Sequence, residues 1–148
     1  MQIEEQFQRW WRQRRKSEPG AAQLALVQRW VQTAEQRLAG YGSMEDCLER
    51  NGIHWQISQS PHRVAGVRMR AQLDLHARRL TIYAGALDEL QTPGRPRKVL
   101  ERVILGHEVF HLLCPECPST IQEAAAHWFA AVTTGLQEFP GIWDLPAE

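Results

Sequence analysis

The stretch His107-Glu108-Val109-Phe110-His111 constrains this chain more than any other. In an α-helix, residues four apart stand one turn above each other on the same face. Leu100, Ile104, His107, His111 and Cys114 follow that helical spacing. The pattern predicts a helix from about Arg97 to Leu113, substantially buried, with both histidines on its inward side. Two imidazoles one turn apart can grip a single metal ion, and the glutamate between them stands where a general base is needed.

The rest of the chain must build a frame around that helix. At 148 residues with 43% hydrophobic side chains, there is material for one compact unit with a sizeable core. Lys plus Arg and Asp plus Glu are 17 each, so no net field steers the molecule towards nucleic acid or an acidic surface, and no nucleic-acid partner is expected. Met1-Gln2-Ile3-Glu4-Glu5 lacks the features of a secretory signal. No apolar run approaches the roughly 20 residues of a membrane span. A cytoplasmic protein without membrane partners is the expectation, and three cysteines, Cys47, Cys114 and Cys117, fit a reducing compartment.

Residues 1–51 read as a helical segment. Ile3, Phe7 and Trp10 or Trp11 mark one side of a helix ending in Arg12, Arg14, Arg15 and Lys16, where cations complement the helix dipole. Pro19 and Gly20 interrupt it. Leu24, Val27, Trp30, Val31 and Leu38 outline a second helix ending at Gly40 and Gly42, and Ser43 caps a short third over residues 44–51.

Residues 52–148 carry the remaining elements. Ile53, Trp55 and Ile57 alternate with His54, Gln56 and Ser58, which predicts a strand. Pro61 interrupts it, a second extended run follows with Val64, Val67, Met69, Leu73 and Leu75 among polar residues, and a third with Leu80 and Ile82 comes after a turn at His76-Ala77-Arg78. Ala84 to Leu90 suits a short helix, and Pro93 to Pro96 a loop. After Pro115 a helix starts near Ser119 or Thr120 and runs to Gly135, and the aromatic residues of 139–143 pack back onto the body. The expected fold is α+β: a small, mostly antiparallel three-stranded sheet packed on the helix of the two histidines and the one after it, with N-terminal helices.

A hydrolytic zinc site needs a third protein ligand and an open position. Glu123 is the choice, because the short Pro115 to Pro118 connection folds its helix back on the first. Thr120-Ile121-Gln122-Glu123 is equally a capping box, in which the glutamate bonds only to backbone. His127, one turn beyond Glu123, is a candidate to hold a ligand from behind, or a half-buried core histidine. Cys114 and Cys117 offer an alternative ligand pair that would close the site with His107 and His111 into a structural centre. Glu116 is a further carboxylate near the helix end. Tyr83 and His54 are candidates to steady a developing oxyanion, and ordinary strand residues otherwise. With Glu108 as general base, the arrangement suits hydrolysis of peptide bonds in a peptide or protein substrate.

The run from Val103 to Leu113 together with Glu123-Ala124-Ala125-Ala126-His127-Trp128-Phe129-Ala130 resembles small bacterial zincins of the gluzincin type. Glu123, Ala124 and Phe129 stand where that group has Glu-Ala and, six residues after the glutamate, phenylalanine. Leu73-Asp74-Leu75, Arg79 to Tyr83 and Ala86-Leu87 also look like the sheet and connection of ImmA/IrrE-like and minigluzincin proteins, so the resemblance covers about residues 52–136. It implies a zincin-like mixed sheet with an edge strand that aligns substrate, one Zn2+ held by His107, His111 and Glu123, and metallopeptidase activity with Glu108 as base. Minigluzincins can be held latent by a terminal segment. This leaves residues 1–51 as a scaffold, a latency segment or a partner surface. The alternative is a non-enzymatic zinc-binding or sensing protein, or an interaction module, of the same fold. Phe110 and His127 depart from the family pattern, which has a small residue and an acidic or amide residue in those places.

Overall fold

The computed structural model describes residues 2–61, 63–64 and 67–145. Six α-helices and a small sheet make an α+β fold among these residues: α1 (Gln2–Arg15), α2 (Ala21–Ala39), α3 (Met44–Arg50), α4 (Ala84–Leu90), α5 (Arg97–Leu113) and α6 (Ser119–Thr134). Five strands, β1 (His54–Ser58), β2 (Arg63–Val64), β3 (Val67–Arg68), β4 (Ala71–Asp74) and β5 (Arg79–Tyr83), lie between α3 and α4. A 3-10 turn, Pro140–Asp144, follows α6. The expected helices are all present. The first, expected from residue 1, is described from Gln2, since Met1 lies outside the described residues.

The local signals act as physics requires. The Ser43 hydroxyl accepts a 3.0 Å bond from the Asp46 N–H and caps α3. Gly135 closes α6 at φ 73°, a left-handed position that suits glycine. Asp74 accepts a bond from the Ala77 N–H and sets the turn into β5.

The sheet departs from the expectation of a mostly antiparallel arrangement. Its order is β1-β5-β4, with β4 antiparallel to β5 but β1 parallel to it, from His54 opposite Arg79 to Ser58 opposite Tyr83. The reason is the long excursion between the two strands. Pro61 ends the first extended run, and β2 and β3 pair with each other as a separate two-stranded element instead of continuing the sheet. The chain thus returns to β5 running in the direction of β1, as a long crossover allows and a tight hairpin does not. Leu80 and Ile82 of β5 are fully buried and anchor the sheet on the helices.

One hydrophobic cluster runs from Ile3 of α1 to Phe139 after α6. Phe7, Trp10 and Trp11 of α1 all point into it. The Phe7 ring lies 5.5 Å from Trp128 and 5.8 Å from Phe139, and Trp10 lies 5.5 Å from Phe139. The N-terminal helices therefore share their core with the segment carrying the two histidines. No described helix is long and apolar enough to cross a membrane.

Helix α6 is buried on nearly every side from Ala124 to Ala131, and its alanines let neighbours approach closely. The tightest approach is to α5 at Gly106, where an added Cβ would lie 3.3 Å from Ala130 Cα and 3.6 Å from the Met44 sulfur. Gly106→Val is expected to force α5 from α6 and destabilise the protein by about 1–3 kcal/mol. Thermal unfolding checks this, with Gly106→Ala expected to be the milder of the two.

Candidate metal centre

Helix α5 places His107 and His111 on one face, and the turn at Cys114–Pro118 folds α6 back so that Glu123, in its second turn, faces them. The two Nε2 atoms lie 3.2 Å apart. His107 Nε2 is 3.2 Å from one Glu123 carboxylate oxygen, and His111 Nε2 is 3.2 Å from the other. Two donors bound to one zinc at tetrahedral angles, each about 2.0–2.1 Å away, are themselves about 3.3–3.4 Å apart. The spacing fits such an ion. Nitrogens this close to each other and to a carboxylate are held there by N–H donation to Glu123 or by a shared cation.

The electrostatics agree. Burial alone would raise the Glu123 carboxyl, but the bonds from both histidines hold it far below the usual carboxylate range. Burial likewise opposes a charge on His111, and Glu123 with Glu108 overcomes it, so the imidazole is raised above its ordinary value. The site favours positive charge at its centre. Among the described residues this is the one group of three or more potential ligands whose donor atoms converge, all within 4.8 Å.

The capping-box alternative for Glu123 does not form. Pro118 holds the position before the first turn, so Thr120 lies inside α6, and no side chain caps the helix. The cysteines of the closed alternative do not join the cluster. Cys114 and Cys117 are buried and lie outside the converging cluster. Cys114 receives the Arg37 guanidinium at 3.8 Å, and Cys117 lies 3.9 Å from the Pro118 carbonyl. Burial pushes the Cys114 thiol up and the Cys117 thiol up to about 12, which works against the thiolate that ligation requires. Glu116 pairs with Arg37, which also donates to the Leu113 carbonyl at 2.7 Å and fastens the end of α5 to α2.

His127 is buried, and its ring packs tilted against His107 at 4.5 Å and edge-on against Trp10 at 5.7 Å. Burial first, then the charge of His107, keeps it neutral. It supports the His107 ring by packing. Phe110 points away from the centre, fully buried against Phe129 at 5.9 Å, which is how α5 accommodates a bulky residue before His111. The Tyr83 hydroxyl donates to Gln72, His54 is exposed on β1, and neither lines the cavity beside the centre.

A cavity of about 270 Å³ opens beside the centre, and Glu108 lines it with His107, Glu123 and His127. Its other walls include Arg14 from the end of α1 and two charged residues with no local signature in the sequence, Arg70 just before β4 and Asp144 from the 3-10 turn. Only the fold brings these distant segments together.

Comparison with protein-family models, curated proteins and solved structures finds no match.

At pH 8 the native protein is expected to resist iodoacetamide at all three cysteines and to be alkylated at all three once unfolded. Mass spectrometry reads the difference. Rapid native labelling of Cys114 or Cys117 with release of metal would contradict the placement of these thiols.

Proposed function

We propose that this protein is a zinc-dependent metallopeptidase of the zincin type. The observation that carries the reading is the convergence of His107, His111 and Glu123 at zinc-ligand spacing, with Glu108 of the same helix lining the adjacent cavity. Two histidines and a glutamate leave a fourth position open, as hydrolytic zinc sites do and closed structural sites do not. When bound, zinc supplies Lewis acidity, which polarises a substrate carbonyl and acidifies a water.

The chain's own residues supply the rest. Glu108 accepts the proton of the attacking water and returns it to the leaving amine as the peptide bond breaks. Ala71, in edge strand β4, lines the same cavity, and β4 pairs with β5 alone within its sheet. An extended substrate added along that edge would present its backbone to the centre. The cavity falls just below the roughly 300–1,000 Å³ of sites for drug-sized ligands, so it admits about one residue and favours a narrow specificity. Within this reading, residues 1–51 serve as scaffold, because Trp10 and Trp11 are buried in the shared core and not offered to a partner.

Glu108→Gln is expected to retain one zinc per chain and to lose about 10²–10⁴-fold in peptide cleavage. Glu123→Ala is expected to lose the zinc as well. Elemental analysis beside mass-spectrometric profiling of a peptide mixture checks both. Cleavage undiminished in Glu108→Gln would sink the proposed role.

A further inference from the structure

Arg70 is mostly buried, its side chain 20% exposed, and its guanidinium lies 5.5 Å over the Trp143 ring at the wall of the cavity. Its partner is Asp144, whose carboxylate approaches Nη2 at 2.6 Å. The contact is a close ion pair across the cavity wall. Asp144 is itself 64% exposed on the short 3-10 turn. An exposed carboxylate can be exchanged for another, whereas a buried guanidinium keeps its demand for an anion. Arg14, its guanidinium 5.0 Å over Trp10, adds a second positive group at the rim of the same cavity. Val103 and Ile104 add apolar wall to the same cavity, and an apolar wall strengthens charge recognition by excluding water.

We infer that Arg70, supported by Arg14, binds a carboxylate of the substrate adjacent to the scissile bond, in the place Asp144 now holds. The inference rests on the peptidase reading and names its substrate class: peptides with an anionic group beside the cleaved amide. That group is either the free C-terminus, which makes the reaction removal of a terminal residue, or an acidic side chain. The planar fork of arginine suits a carboxylate in two-point contact.

The test uses the full chain carrying Glu108→Gln, loaded with zinc, so that probes bind without being cut. Calorimetry compares N-acetyl-Ala-Ala-Phe as the free acid, the same peptide as its C-terminal amide, and N-acetyl-Ala-Ala-Glu-amide. At least one charged peptide is expected to bind about tenfold more tightly than the neutral amide. Preference for the free acid identifies the terminal carboxylate, and preference for the glutamyl amide identifies the side chain. Arg70→Gln is expected to erase the preference with zinc content unchanged, and Asp144→Asn to enlarge it. Should Arg70→Gln fail to fold, Asp144→Asn decides, because an unchanged preference there overturns the proposal. Equal or no binding of the three peptides overturns it too. So does a preference that survives Arg70→Gln and disappears with chelation, which would put the carboxylate on the metal. A chain that takes up no zinc defeats the peptidase reading instead, and the carboxylate preference of that same sample still decides the Arg70 site.

Discussion

The close packing of α5 on α6 is the constraint on which the rest of the structure depends. Glycine at 106 lets the two backbones approach at Ala130 so closely that even a Cβ would need its neighbour to give, and that approach, with the tight turn at Cys114–Pro118, brings Glu123 to both histidines. Neighbouring elements hold this pair from outside. Arg37 of α2 fastens the end of α5, Met44 of α3 packs at Gly106, and the aromatic residues of α1 pack around Trp128 and His127. The centre is thus built on rigid elements, and its supporting residues come from almost the whole described chain. Interiors packed this densely transmit small displacements instead of absorbing them.

The same packing sets the electrostatics. A carboxylate partly withdrawn from water is costly unless it is paired, and Glu123, its side chain still 46% exposed, is paired with the two imidazoles whose Nε2 atoms face it. Every term in the cluster is relieved by a cation at its middle. The cysteines lie within a few residues of it in sequence, yet their burial and their neighbours keep them as thiols packed in the core.

How much of this was legible in the sequence depends on whether the signal is local. The helices were, because the 3.6-residue period of Phe7, Val27 or Leu100 and the caps at Ser43 and Gly135 act within a few residues. The histidine pair was legible for the same reason. For Glu123 the sequence leaves ligand and capping box open, and the capping box is ruled out by the N-cap falling at Pro118, two residues before Thr120, which puts Thr120 within the first turn. The direction of β1 was not legible. Alternating hydrophobicity is the same in parallel and antiparallel strands, and the return path was settled by β2 and β3 pairing with each other. Arg70 and Asp144 carry no pattern in sequence, and their meeting with Arg14 at one cavity exists only after folding. The basic end of α1 reads as a solvated cap, and the fold turns one of its arginines into a cavity wall.

The central claim is that two imidazole nitrogens and a carboxylate oxygen hold one zinc ion and leave a position open. X-ray absorption spectroscopy of the zinc-loaded protein tests it most directly. The account predicts a first shell of nitrogen and oxygen only, at about 2.0–2.1 Å, with water among the ligands. A scatterer at about 2.3 Å, the distance of thiolate sulfur, would contradict it and return the centre to a closed structural role.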